Sequence, residues 1–185
     1  DIHADAIPPA WRGARVVHLG PLTQELNSAI AREFPQALVG ATPQGWLRGW
    51  DANGLVFAVP WHNAAATLAH VDALVFSEAD VNYDQALVDR YVALARLVVV
   101  TRGSAGCVVY AEGQACELPA YPTNEVEPTG AGDVFAGAFF LKYADTRDAC
   151  LAANWANCVA SFSVEAPGTS GIPTLDQVQA RFVPR

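Results

Sequence analysis

Short apolar runs alternate with longer mixed segments along the chain, and this alternation predicts its secondary structure. Apolar runs bounded by turn residues are typical of buried strands, while apolar residues three or four positions apart are typical of helices. The runs predict strands over residues 15–19, 37–41, 55–59, 72–76 and 97–101, then a hairpin of 107–111 and 115–118. The mixed segments predict helices over residues 23–34, 63–70, 82–96 or 84–96, 130–143, 147–164 and 175–182.

The order of these elements indicates the fold class. Buried strands that alternate with helices are typical of an α/β architecture with a mostly parallel sheet. The segment from residue 147 to 164 has apolar or small residues on every face, so we expect that helix to be deeply buried. No stretch has the composition of a linker, and we therefore predict a single α/β domain over residues 1–185.

Three tryptophans, Trp46, Trp50 and Trp61, lie in a less regular stretch between the predicted strands. Such residues either form a stacking platform for a ligand or act as packing anchors with their N–H groups satisfied locally. The second arrangement is the more frequent one in folded proteins, and we expect it here.

Composition and charge narrow the possible partners. Of the 185 residues, 52% are hydrophobic and 16% charged, which argues against disorder. No apolar run is long enough to cross a bilayer, and the first residues do not resemble a signal peptide. The net charge of −8 disfavours nucleic acids and anionic membranes as partners. We expect a cytoplasmic protein whose ligand is a small molecule, and backbone N–H groups still allow that ligand to be phosphorylated.

Cysteines and histidines offer no obvious metal site. The cysteines lack a Cys-x-x-Cys pair and the histidines lack zinc-site spacing, so we predict no structural metal. Cys107 and Cys116 are placed to face each other across the predicted hairpin. Buried, reduced thiols are the alternative that we expect, because Cys is among the most buried residue types.

The segment Gly130-Ala131-Gly132-Asp133 is the strongest candidate for chemistry. Glycines before a helix allow positive φ and a close approach of ligand to backbone. The first N–H groups of a helix lack internal partners, and the helix dipole favours an anion there. Asp133 would then accept a proton from a hydroxyl that attacks a bound phosphoryl group. The residues alone equally allow Asp133 merely to stabilise the positive end of the helix.

Four segments together resemble the PfkB family of carbohydrate kinases, whose fold is ribokinase-like: a three-layer, Rossmann-like sheet with flanking helices. Residues 127–133 resemble its second signature, Asp-Thr/Pro-Thr/Val-Gly-Ala-Gly-Asp, and residues 101–106 resemble its Thr-x-Gly-x-x-Gly nucleotide loop. Residues 154–157 and 167–171 fall where the family closes its adenine and monovalent-cation sites. The resemblance extends over residues 15–182.

The resemblance implies a role for each candidate residue. Asp133 would be the catalytic base, and the backbone N–H groups of Gly130, Ala131 and Gly132 would form the anion hole. ATP would be the phosphoryl donor, bound by Thr101, Gly103, Gly106 and Asn157. Ser77 and Asp80 stand where the family has the Asn and Glu of Asn-x-x-Glu, which helps to place Mg²⁺, so Asp80 would be the metal residue and Ser77 a cofactor-binding residue.

Several positions depart from the family pattern. Ser77 and Asp80 replace an Asn and a Glu, and Glu127 replaces an Asp that helps to hold a monovalent cation in relatives. Arg102 lies either near the phosphates or outward in solvent, and single charges usually face solvent. Nothing before Arg15 resembles the family's glycine-rich sugar segment or β-lid, and the chain has no methionine. We therefore expect the C-terminal part of a longer kinase.

The function that the resemblance implies is ATP-dependent transfer of a phosphoryl group to a hydroxyl of a sugar, a polyol such as inositol, or a nucleoside. A monovalent cation and a homodimer are further family properties that the residues shown leave open. The alternatives are a nucleotide-binding module that keeps the kinase fold without turnover, and an unrelated α/β protein with a chance glycine turn.

Overall fold

A computed structural model describes residues 2–185, and the chain divides into two compact units, Asp1–Val98 and Val99–Arg185. The single domain expected from the sequence stays a prediction. The first unit holds strands β1 (Val16–Leu19), β2 (Leu38–Ala41), β3 (Arg48–Trp50), β4 (Val56–Ala58) and β5 (Ala73–Ser77), with helices α1 (Ala64–Leu68) and α2 (Gln85–Leu94). Strand β6 (Leu97–Thr101) leads into the second unit, which holds strands β7 (Cys107–Ala111) and β8 (Gln114–Leu118) and helices α3 (Ala131–Thr146), α4 (Ala149–Ser163) and α5 (Leu175–Arg181).

The main sheet of the first unit has the order β1-β2-β5, and both pairings are parallel. In the register, Val16 lies opposite Leu38 and Gly40 lies opposite Ala73. Every residue of β2 is buried, as are the first four of β5. Strands covered on both faces read as continuous apolar runs, which is why the sequence predicted them well.

The helix predicted over residues 23–34 is wrong. The structure has only a 3-10 helix, Ser28–Glu33, whose first turn is capped by the Asn27 side chain. Before it, the Glu25 carboxylate accepts hydrogen bonds from the backbone N–H groups of Leu22 and Thr23, and Gln24 has a φ of 61°. The left-handed Gln24 breaks the helix, and the Glu25 carbonyl and the Asn27 N–H form hydrogen bonds with Ile2 in a short parallel bridge instead of with residues of a helix.

Two of the tryptophans are packing anchors, as expected. Trp46 and Trp61 are buried and stack with their ring centroids 4.9 Å apart. The Trp46 indole N–H donates to the Leu26 carbonyl at 3.0 Å, so its polar group is satisfied locally. Trp50 is different, because it is half exposed on β3.

In the second unit, strands lie in the order β6-β7-β8, and β7 and β8 form the predicted hairpin. Cys107 lies opposite Leu118, while Cys116 lies opposite Val109, so the alternative in which the two cysteines face each other is wrong. All four cysteines are free thiols; Cys107 and Cys158 are buried, as expected, whereas Cys116 and Cys150 are partly exposed.

Helices α3 and α4 follow each other closely and pack together. Arg147, with a φ of 55°, ends α3, and the Asp148 side chain caps α4 by accepting from the Leu151 N–H at 2.9 Å. The deep burial predicted for α4 is confirmed, since Ala152, Ala156 and several neighbours are fully inaccessible to solvent. Among residues 2–185, no helix is long and apolar enough to cross a membrane.

Candidate active site

The predicted anion cradle is the N-terminus of α3. Gly130 is the N-cap, with a φ of 83°, and no side chain caps the helix. The Ala131 N–H donates to the Pro128 carbonyl at 3.1 Å. Over the described residues, the N–H groups of Gly132 and Asp133 have no acceptor. They are therefore the donors that remain for a bound anion, whereas the Ala131 N–H, which was predicted to join them, is used within the turn.

Space for a ligand exists directly above this turn. A Cβ atom built on Gly130 or on Gly132 would meet no described atom within 4 Å. The Asp133 side chain lies in the first turn of α3 and is exposed, and it does not serve as the helix cap. An uncapped helix end, an open glycine turn and an exposed carboxylate thus lie within four consecutive residues.

The segment before the turn is tied to the end of α4. The N–H groups of Val126 and Glu127 both donate to the Val164 carbonyl, at 2.7 and 3.1 Å. The Glu127 carboxylate accepts the Gly168 N–H at 3.1 Å. A Cβ on Gly171 would lie 2.7 Å from the Ser163 carbonyl oxygen, so the 3-10 helix Gly168–Gly171 packs tightly on α4. Glu127, which departs from the family pattern, therefore has a structural role in joining two loops.

The predicted nucleotide loop connects β6 to β7 through a 3-10 helix, Gly103–Ala105. Gly103 and Gly106 have φ values of 53° and 95°, and the Arg102 N–H donates to the Gly106 carbonyl at 2.7 Å. Gly103 is exposed, and Thr101 is partly exposed at the end of β6. These conformations explain why glycine occupies both positions.

Arg102 does not extend into solvent, so that expectation is wrong. Its side chain is 26% exposed, and its guanidinium pairs with the Glu117 carboxylate at 3.2 Å. The Arg102 Nε atom is buried and has no hydrogen-bond partner among the described groups. A buried donor without an acceptor is costly.

Asn157 lies next to the nucleotide loop rather than apart from it. Its side-chain amide donates to the Cys107 sulfur and to the Pro119 carbonyl, both at 3.4 Å. Burial raises the pKa of the Cys107 thiol to about 12, although the Asn157 hydrogen bond opposes the rise. The structure therefore brings Asn157 to the residue that follows Gly106.

Ser77 and Asp80 belong to the first unit, where they form a reciprocal helix cap. The Asp80 carboxylate accepts the Ser77 N–H at 2.9 Å, and the Ser77 hydroxyl accepts the Ala79 N–H at 3.2 Å. Sequence reasoning missed Gln44, whose amide donates to the other Asp80 oxygen at 3.4 Å. No local signal identifies this contact, because the two residues are 36 positions apart.

Two clefts lie in the first unit. The larger has a volume of about 470 Å³. Its lining residues are Gln24, Leu26, Asn27, Trp46, Val59, Pro60, Trp61, His62 and Asn63. The smaller, of about 140 Å³, is lined in part by Gln44, Arg48 and Asp80. Asp80 is thus accessible from a cleft although both of its carboxylate oxygens accept hydrogen bonds.

Comparisons with known proteins agree with the resemblance. The chain is 34% identical to a nucleoside kinase of Methanocaldococcus jannaschii over 97% of its own length and 59% of that protein. A ribokinase from Thermotoga maritima superposes with a TM-score of 0.74 at 20% identity, covering 96% of this chain and 60% of that one. A putative ribokinase II from E. coli in complex with ATP and Mg²⁺ superposes with a TM-score of 0.73 at 20% identity, covering 96% of this chain and 61% of that one.

These similarities confirm the predicted fold class, a ribokinase-like α/β fold with a mostly parallel sheet. The chain spans about three-fifths of the length of the nucleoside kinase that it matches. Residues 62–175, more than half of the chain, match the family described as pfkB family carbohydrate kinase. The chain belongs to the pfkB family of carbohydrate kinases.

Proposed function

We propose that the chain carries the phosphoryl-transfer site of an ATP-dependent kinase that acts on a hydroxyl group of a sugar, a polyol or a nucleoside. The observation that carries this proposal is the N-terminus of α3, where an exposed Asp133 stands beside free backbone N–H groups. Family membership supports the reaction class, because transfer to a hydroxyl requires a base beside an anion site.

Asp133 is proposed as the base that takes the proton from the attacking hydroxyl. The Gly132 and Asp133 N–H groups and the helix dipole would stabilise the negative charge on the transferring phosphoryl group. Gly130 contributes by its left-handed conformation, and Ala131 by the hydrogen bond to Pro128 that holds the turn in place. Such fixed donors need no reorganisation during the reaction, which is the main source of catalysis by electrostatic stabilisation.

The loop from Thr101 to Gly106 is proposed to bind the ATP phosphates and ribose. The exposed turn at Gly103 lets a ligand approach the backbone. Asn157 is proposed to lie by the adenine, which its contact with Cys107, next to Gly106, supports.

Asp80 and Ser77 are proposed to help place Mg²⁺, partly through water. When bound, Mg²⁺ neutralises phosphate charge. Asp80 fits such a role, since a carboxylate has about four acceptor positions and two are used by Ser77 and Gln44. The described residues contain no group of three His, Cys, Asp or Glu side chains suited to hold a metal ion, so further oxygens would come from phosphates and water.

The substrate class rests on the relatives. The similar protein of M. jannaschii is named a nucleoside kinase, which puts a nucleoside first among acceptors to be tested. A monovalent cation near Glu127, a homodimer and a cytoplasmic location stay predictions. The Glu127–Gly168 hydrogen bond joins the two loops between which a cation site would lie.

A nucleotide-binding module without turnover is the second candidate. The observation in its favour is that both Asp80 oxygens already accept hydrogen bonds in the first unit. In that case ATP would bind but Asp133 would have no proton to accept, so nucleotide affinity and ADP production separate the two candidates.

The test compares the full-length protein with its Asp133→Asn variant in the presence of Mg-ATP and a panel of nucleosides, ribose and inositols, and follows ADP. We expect at least one acceptor to stimulate ADP formation, and Asp133→Asn to lower that rate by roughly 100-fold or more with ATP affinity nearly unchanged. Asp176→Asn is the matched control, because Asp176 is an exposed carboxylate in the first turn of α5. ADP formation no faster than that of Asp133→Asn with every acceptor, together with measurable ATP binding, would establish the binding module instead.

A further inference from the structure

The larger cleft of the first unit is lined by none of the residues assigned to the proposed phosphoryl-transfer site. Its volume of about 470 Å³ is typical of sites that hold a small molecule. Leu26, Val59 and Pro60 supply apolar surface, and the other lining residues all carry a polar group in the side chain. Apolar walls with a few converging polar groups are the usual composition of a ligand site.

The indole N–H of Trp61 is a hydrogen-bond donor that the protein leaves unused. Trp61 is 4% exposed, and its N–H has no acceptor among residues 2–185. The nitrogen is nevertheless open to solvent, because Arg102 Nε is the only fully enclosed side-chain nitrogen or oxygen without a partner in that part of the chain. The small open part of Trp61 lines the cleft, so the donor faces the cleft. Buried Trp N–H groups usually have a partner, and an oxygen of a ligand in the cleft would supply one.

The packing of Trp61 excludes ring stacking by a ligand. Its ring stacks on Trp46 with the centroids 4.9 Å apart, and its centroid lies 5.7 Å from that of Tyr91. Trp46 and Tyr91 are themselves only 8% and 1% exposed. No ring face of the three is therefore open to a flat aromatic ligand such as a nucleobase. The cleft instead offers a ligand the edge of an indole, with its single N–H.

Two side-chain amides add further groups for hydrogen bonds. Asn63 precedes α1, yet its side chain does not cap the helix and has no hydrogen bond within the described part of the chain. Gln24 donates to the Arg48 carbonyl through Nε2 at 2.6 Å, so its amide oxygen stays available as an acceptor. A mixed set of donors and acceptors matches hydroxyl groups, because each hydroxyl both donates and accepts.

The charge of the cleft limits the class of ligand. None of the lining residues is Asp, Glu, Lys or Arg. A phosphate ester placed there would find no cation with which to pair, in a chain whose net charge is −8. An ammonium group would likewise find no carboxylate. These observations favour an uncharged ligand.

We propose that this cleft binds an uncharged sugar or polyol in its unphosphorylated form. Trp61 donates its N–H to one hydroxyl oxygen, while the amides of Gln24 and Asn63 exchange hydrogen bonds with neighbouring hydroxyl groups. The C–H groups of the ligand lie against Leu26 and Pro60. Binding of this kind requires no nucleotide and no metal ion, so the proposal goes beyond phosphoryl transfer and does not depend on it.

The test follows the indole N–H signals of the isotope-labelled full-length protein by NMR while glucose, ribose or myo-inositol is added without ATP. At least one of the three should shift the Trp61 signal, which is identified by its loss in Trp61→Phe. The Trp46 signal should move much less, because its N–H stays bonded to the Leu26 carbonyl. The phosphate ester of glucose should leave the Trp61 signal in place at the same concentration.

Two variants measure the contribution of the lining side chains, with the dissociation constant read from the backbone N–H signal of Asn63 or its replacement. Trp61→Phe keeps a ring against Trp46 but removes the donor, and Asn63→Ala removes an amide that the fold does not use. Each should raise the dissociation constant roughly 5- to 10-fold, because the ligand loses one hydrogen bond. Trp155→Phe, which removes an indole N–H from α4, is the matched control and should bind like the wild type.

The proposal is overturned if none of the three compounds moves the Trp61 signal up to its solubility limit, or if the phosphate ester binds equally well. Unchanged affinity in both Trp61→Phe and Asn63→Ala would also overturn it. So would slow exchange of the Trp61 N–H with water before any ligand is added, because another part of the full-length protein would then occupy the cleft. A sugar that stimulates ADP formation without moving the Trp61 signal overturns this proposal alone, whereas a shift of that signal supports it whether or not ADP forms.

Discussion

In the nucleotide loop, Gly106 is the position where one added methyl group should lower the stability of the fold most. Its φ of 95° and ψ of −131° lie outside the regions open to residues with a side chain. A Cβ there would lie 2.0 Å from the Leu118 carbonyl oxygen and 2.6 Å from the Ala120 nitrogen. Both atoms belong to the backbone, so no side chain can rotate to make room.

The cost of Gly106→Ala follows from these contacts. An ordinary carbon–oxygen contact is about 3.3 Å, so the backbone at Leu118 or at Gly106 must move by about 1.3 Å. That movement disturbs the Arg102–Gly106 hydrogen bond of 2.7 Å, worth about 1 kcal/mol, and the disfavoured conformation adds about 1–2 kcal/mol. With the displaced backbone included, we expect a loss of at least about 3 kcal/mol in the free energy of unfolding.

Gly103→Ala is the matched control in the same turn. Gly103 also has a positive φ, 53°, but a Cβ there meets no described atom within 4 Å. It should cost only the conformational term of about 1–2 kcal/mol. For a chain of this size, about 2–4 °C of melting temperature corresponds to 1 kcal/mol, so Gly106→Ala should melt at least roughly 6 °C below the wild type.

Thermal and urea unfolding, followed by circular dichroism at two wavelengths, measure both variants. The prediction is an ordering of melting temperatures: Gly106→Ala melts below Gly103→Ala, which melts below the wild type. Equal melting temperatures for the two variants would contradict the prediction, because they would mean that the clash with Leu118 is relieved at no cost.

Two further predictions concern the second unit. Hydrogen bonds from Arg181 and Thr123 lower the pKa of Glu165 below its ordinary value of 4.5, so its stabilisation is complete above pH 4.5 and is lost as the pH falls through the lowered pKa. Glu165→Gln should therefore lower the urea midpoint at pH 7 and reduce its acid dependence, and an unchanged acid dependence would contradict this. Asp148→Ala removes the cap of α4 and should cost about 0.5–2 kcal/mol in urea unfolding, whereas Asp148→Asn should cost much less; equal losses would show that charge rather than capping matters.

The buried strands and several helix ends were predictable because their signals are local. The apolar run at residues 97–101 is strand β6, and Asp84 and Thr174 cap α2 and α5 as N-cap residues do. The helix predicted from Thr23 failed because of a contact that the local pattern does not reveal. Its apolar spacing suits a helix, but the Glu25 carbonyl and the Asn27 N–H form hydrogen bonds with Ile2, and Gln24 is left-handed.

The Gly130–Asp133 turn follows from the local sequence, because its cradle and its carboxylate are consecutive residues whose conformations depend on the neighbouring chain. Tertiary packing sets the partners of Asp80, Arg102 and Asn157, which are Gln44, Glu117 and Cys107, between 15 and 50 positions away. Side chains so distant meet because strands and helices pack at particular registers. That packing depends on contacts from the whole chain, whereas a sequence pattern predicts only the conformation of residues close to it in the chain.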